Sequence, residues 1–146
     1  MVTWNYLFNE VDFEDYCNTL QNNCVAKLLY EGVNYPGFID VEKRVAYFYN
    51  PSFPVMVKRS GFYTLRDEGQ NLEWNEFFYE HPIPSNAVLA NQSQDDPLMY
   101  FGMVLGDEAR FGPVFANGIC FVPRDEANFD ACVPDALLVW KISEEY

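Results

Sequence analysis

The sequence predicts an all-β protein: two tandem, diverged antiparallel β modules with pseudo-two-fold symmetry and one short helix in the first. Three observations carry that prediction. A tryptophan-led motif occurs twice, at Trp4-Asn5-Tyr6-Leu7-Phe8-Asn9-Glu10 and Trp74-Asn75-Glu76-Phe77-Phe78-Tyr79-Glu80, reading W-N-x-x-F-x-E. Short apolar blocks rich in Val, Tyr and Phe follow each copy in the same order, bounded by Gly, Pro, Asn and Asp. Aromatic residues make up 18% of the chain and prolines number nine, which suits strands and turns better than helical bundles.

The copies run from residue 4 to 66 and from 74 to 142. Cys24-Val25-Ala26-Lys27-Leu28-Leu29 answers Tyr100-Phe101-Gly102-Met103-Val104-Leu105. Tyr35-Pro36-Gly37-Phe38 answers Phe111-Gly112-Pro113-Val114, and Val45-Ala46-Tyr47-Phe48 answers Ile119-Cys120-Phe121-Val122. Phe62-Tyr63-Thr64-Leu65 answers Ala136-Leu137-Leu138-Val139. Residues 67–71, with Gly69, read as the joining turn.

Taken in chain order, strands are expected near 4–8, 24–30, 44–50, 54–58, 62–66, 72–79, 98–105, 118–123 and 136–142. Between the first two, Phe13, Tyr16, Cys17 and Leu20 recur at helical spacing. Asp12 stands as N-cap, Asp15 suits the helix dipole, and Asn22-Asn23 is the expected stop. The second copy has instead Pro82 and Pro84, which favour an extended or sheet-edge path, and a polar turn at Ser93–Pro97. Around residue 47 alternation puts Val45, Tyr47 and Tyr49 on one face and Ala46 and Phe48 on the other, so this strand is expected to be buried on two sides or covered by a partner.

Composition narrows the function. A formal charge of −13 repels phosphate backbones and anionic bilayers, so nucleic acid is not an expected partner. No run of about 18 apolar residues offers a membrane span. Met1–Glu10 lacks a basic segment followed by an apolar one, so a cytoplasmic protein is expected, or one that leaves the cell by an unconventional route. Cys17, Cys24, Cys120 and Cys132 form no C-x-x-C and have no histidine nearby, so neither a metal nor another cofactor is expected. Three pairings of these cysteines are open, but reduced thiols fit the absence of a leader.

The second copy resembles the DM-nine repeat family, which includes the lectin-like part of natterin-type proteins. The resemblance rests on Trp74, Pro84-Ser85-Asn86-Ala87-Val88, Met99-Tyr100-Phe101-Gly102-Met103, Phe111-Gly112-Pro113-Val114, Cys120-Phe121-Val122-Pro123, Asp125-Glu126 and Leu137-Leu138-Val139. The first copy is similar at Ala26-Lys27, Tyr35-Pro36-Gly37-Phe38 and Val45-Ala46-Tyr47. The resemblance implies a two-repeat β protein of mannose-binding type. In that family an Asp of the polar turn, the Lys of a P-G-K turn and the Glu of a G-K-E turn grip sugar hydroxyls. Here the Asp position falls at Ser93, beside Asp95; the Lys position holds Phe38 and Val114; of the last turn Glu126 remains. The resemblance thus nominates Ser93, Asp95, Glu126 and Trp74 as ligand-binding residues.

No catalytic constellation stands out. His81 is the single histidine, placed at a solvent-facing turn with no nucleophile marked beside it. The acidic pairs Asp67-Glu68, Asp95-Asp96, Asp107-Glu108, Asp125-Glu126 and Glu144-Glu145 lack calcium-loop spacing and read as solvated turns. Tyr6, Tyr16, Tyr35, Tyr47, Tyr49, Tyr79 and Trp74 are the better lead, because aromatics stack on sugars and anchor interfaces. The expectation is a non-catalytic binding module with a glycan or protein partner and largely diverged sugar contacts. The alternative is a structural protein that self-assembles through aromatic surfaces.

Overall fold

The computed structural model describes residues 2–18, 24–50, 53–67, 69–91, 98–125 and 128–141. Among them, twelve strands form two six-stranded antiparallel sheets, one from each half. The first sheet holds β1 (Val2–Leu7), β2 (Val25–Tyr30), β3 (Val33–Asp40), β4 (Val45–Asn50), β5 (Phe53–Lys58) and β6 (Phe62–Asp67), in the order β1-β6-β2-β3-β4-β5. The second holds β7 (Leu72–Glu76), β8 (Met99–Val104), β9 (Arg110–Phe115), β10 (Cys120–Pro123), β11 (Phe129–Cys132) and β12 (Ala136–Trp140), in the order β7-β12-β8-β9-β10-β11. Renumbered from its own first strand, the second order is the first.

Registers extend the match to single residues. Trp4 pairs with Leu65 and Trp74 with Leu138; Ala26 lies between Thr64 and Gly37, and Gly102 between Leu137 and Gly112. The tryptophan, Cys24–Leu29 and Val45–Phe48 blocks therefore align as the sequence reads them. Two other blocks slip by one. Phe111 matches Pro36 rather than Tyr35, and Leu65 matches Leu138 rather than Val139. Both faces of these strands are buried, so alternation gave no cue to register.

Each sheet must curl. Only Arg59-Ser60-Gly61 separates β5 from β6, a reach of about 14 Å. In a flat sheet four strand spacings, about 19 Å, would lie between them. The same three-residue link, Val133-Pro134-Asp135, joins β11 to β12. Curling gives each module its own core. In the first, Leu28, Ile39, Phe48 and Phe62 pack beneath the helix residues Phe13 and Cys17. In the second, Val114, Cys120, Val122, Leu137 and Val139 pack with Phe77, Ala87 and Ile83 of an irregular segment. The opposite sheet faces meet in a third core that draws Val25, Phe38, Tyr47 and Leu65 from one half and Leu72, Phe101, Phe111 and Leu138 from the other. β3 packs on its counterpart β9, and β4 on β10.

Three strands were not legible as such: β3, β9 and β11. The Tyr35-Pro36-Gly37 and Gly112-Pro113 stretches read as turns, yet both are central strand. Pro36 is fully buried opposite Lys27. A side chain at Gly37 would run into the Phe48 ring, and one at Gly112 into the Phe121 carbonyl, so these glycines admit the neighbouring strand and not a bend. The helix α1 (Glu10–Cys17) forms, but its N-cap is Asn9, not Asp12: the Asn9 side chain accepts from the Asp12 N–H at 2.9 Å. Asp12 instead reaches back past the cap to accept from the Phe8 N–H at 3.2 Å. α1 closes at Asn18; Leu20, Asn22, Asn23 and the Ser93–Pro97 turn lie outside the described residues. Residues 82–84 belong to no strand; the isolated bridges Ala87–Val139 and Leu89–Tyr100, with an Asn86 Nδ2 bond to the Trp140 carbonyl at 2.7 Å, tie the following segment to the sheet.

Candidate functional site

Where the shared faces of the two sheets part, the seam opens into a cleft of about 410 Å³. β3 and β4 supply Phe38, Asp40 and Tyr47, with Lys43 from their connecting turn. The β8–β9 loop supplies Asp107 and Glu108, β9 supplies Arg110, and the end of β10 leads to Arg124 and Asp125. Strand alternation explains the aromatic wall: Phe38 and Tyr47 are directly opposed across β3 and β4, with near-parallel rings 6.3 Å apart.

Local bonds hold both arginines, Asp40 and Asp125 in place. Asp130 of β11 takes Arg110 Nη1 at 2.8 Å on one carboxylate oxygen and Arg124 Nε at 2.9 Å on the other. Arg124 Nη2 shares that second oxygen. Arg110 Nη1 also donates to the Pro123 carbonyl at 3.3 Å. The Arg124 hydrogen bonds, then that of Arg110, hold the Asp130 carboxyl below its ordinary range. On the opposite lip Asp40 Oδ1 accepts the Lys43 N–H at 3.1 Å, shaping the turn that presents the Lys43 ammonium. Asp125 closes a turn of its own by accepting from the Asn128 N–H at 2.8 Å. Three cations (Lys43, Arg110, Arg124) thus line the cleft together with four carboxylates (Asp40, Asp107, Glu108, Asp125) and an aromatic wall. Such walls can offer a hydroxyl both donors and acceptors.

The other half lacks this arrangement. At the positions equivalent to Phe38, Asp40, Tyr47, Arg110 and Asp130 stand Pro113, Phe115, Phe121, Tyr35 and Met56. The register also moves the Lys position of the second copy from Val114 to Pro113.

Of the nominated residues, Trp74 lies outside the cleft: its ring packs on Phe111, 5.3 Å away, against the shared core. Ser93, Asp95 and Glu126 lie outside the described residues. Tyr47, expected among the exposed aromatics, is buried. The acidic pairs were one readable trace of the site, since Asp107, Glu108 and Asp125 all line it, and Phe38 was another, as the residue at the family's Lys position; Lys43, Arg110 and Arg124 carried no signal. His81 lines a separate hollow with Phe77, Tyr79 and Ile83, and its ring lies 5.8 Å from that of Phe78. The cysteines are thiols. Cys120 and Cys132 face each other across β10 and β11, and burial first, then the neighbouring Cys132, drives the Cys120 pKa far up. Among the described residues no group of three His, Cys, Asp or Glu side chains could hold a metal, and no helix is long and apolar enough to cross a membrane.

No protein-family model matches this chain, and no curated protein sequence matches it.

Proposed function

We propose that the chain is a non-catalytic recognition module of DM-nine-like type, and that the seam cleft takes a neutral, hydroxyl-rich ligand of the saccharide class. The observation that supports this is the mixture of cations and carboxylates around Phe38 and Tyr47, with both arginines held by Asp130. A wall that mixes three cations with four carboxylates offers charge-assisted bonds to hydroxyls from donors and acceptors alike. A recognition module with diverged sugar contacts fits the residue changes at the family positions: the Lys of the turn is gone, and Lys43 and two arginines supply donors from elsewhere.

A glycan array followed by calorimetry tests the reading. A saccharide should bind, and Lys43→Ala should weaken it about tenfold, the loss of one charge-assisted bond. Silence against every saccharide at millimolar concentration would remove the proposal, and so would binding that Lys43→Ala leaves untouched.

A further inference from the structure

The repeated W-N-x-x-F-x-E motif has an odd physical outcome. Its buried anchor is the unmatched residue before the phenylalanine: Leu7 is 7% and Phe77 8% exposed. The matched phenylalanines face outward in both halves, Phe8 at 76% and Phe78 at 57%. Each sits past the end of its first strand. On strand alternation, the shared face of its sheet continues there beyond the cover of the other sheet.

The two overhangs differ in charge. Around Phe8 lie Tyr6, whose ring is 4.7 Å away, and Tyr63, 4.9 Å from Tyr6. The Lys27 ammonium lies over the Trp4 and Tyr63 rings, and a side chain at Gly61 would meet both the Lys58 ammonium and the Tyr6 hydroxyl. In the second half Glu76 stands where the first has Tyr6, Met103 replaces Lys27 and Cys132 replaces Lys58. One overhang is therefore an aromatic surface with two lysines beside the Asp12 carboxylate on the Phe8 N–H, and the other an aromatic surface with an exposed glutamate and no lysine at those positions.

We infer that these are the two halves of one contact: the Phe8 surface of one molecule docks on the Phe78 surface of a second copy of this chain. Opposite charge favours pairing unlike ends and disfavours pairing like ends, so the contact is heterologous and propagates head to tail. It is independent of the seam cleft, which lies elsewhere on the chain.

Sedimentation of the full chain, with the exposed-residue variants Phe8→Ser and Phe78→Ser, tests this. The wild type should self-associate with rising concentration, more weakly at high salt. Each variant alone should raise the dissociation constant by about tenfold or more, as loss of an interface anchor does. An equimolar mixture of the two variants should form heterodimers and stop there, because each supplies the surface the other lacks. A wild type monomeric throughout the range, or a mixture as monomeric as its components, would overturn the inference. So would a monomer that instead floats with phosphatidylcholine vesicles, which would make the phenylalanines lipid contacts.

Discussion

The side chain of Asn91 stands in for a strand residue opposite Asn34. Its Oδ1 accepts the Asn34 N–H at 2.8 Å and its Nδ2 donates to the Asn34 carbonyl at 2.9 Å. The two residues come from different halves, and Asn91 is only 6% exposed. A buried amide from the second module thus satisfies both backbone groups of one residue on the first, a clasp of fixed geometry across the seam.

Asn91→Ala should therefore cost about 1 to 2 kcal/mol, the penalty for leaving the part-buried donor and acceptor of Asn34 without partners. Urea denaturation should show a lower midpoint with an unchanged slope. Stability within a few tenths of a kcal/mol of wild type would mean water replaces the amide at no loss.

Gly112→Ala should be among the most damaging single-methyl changes in the chain. The added carbon would land on the Phe121 carbonyl, a backbone atom of the next strand, and a strand cannot swing aside as a side chain does. About 3 kcal/mol or more is expected. Gly106→Ala, whose methyl meets only the Glu108 carbonyl at 3.8 Å, should be close to neutral in the same denaturation assay.

Acid should loosen the cleft before it unfolds the protein. The Asp130 carboxyl is held low in the folded chain, so its contribution is present above the ordinary carboxylate pKa and is lost as pH falls through the lowered folded value. The pairs are partly exposed, so the expected contribution is modest, up to about 1 kcal/mol. Asp130→Asn should flatten that part of the stability curve below about pH 4 while changing little at high salt. An acid limb identical in the two proteins would remove Asp130 from the account.

Cys120 should be silent toward thiol reagents in the native protein. It is fully buried and its pKa is driven far up, so almost no thiolate exists at neutral pH. Cys24 and Cys132, both half-buried, should label first. Mass mapping after a short labelling pulse checks the order, and Cys120 should appear only at denaturant levels that unfold the whole chain.

Much of this architecture was legible in the residues. The two tryptophan motifs announced two modules, and the Ala26 and Gly102 blocks align in the structure as they do in the sequence. The rest was hidden for physical reasons. Pro36 and Pro113 sit in central strands, a place where proline removes a ladder donor and ordinarily signals a break. Their strands are apolar on both faces, so nothing in their alternation reported which residue faces which core. The cleft was harder still. Its arginines lie on β9 and just past β10, and what fixes them is Asp130, a lone acid on a four-residue strand the sequence did not show. The acidic pairs pointed to exposed turns, and Asp107, Glu108 and Asp125 stand on such turns; that two of these turns converge on Phe38 and Lys43 follows only from how the sheets curl.

The shared core, fed by both sheets, has a further consequence. Neither half can hide Phe38, Tyr47, Phe101 or Phe111 by itself, so the molecule behaves as a dimer whose subunits happen to be tethered. Calorimetry should record one melting transition and not two. Separately produced segments 2–67 and 72–141 should be poorly soluble alone and regain order when mixed.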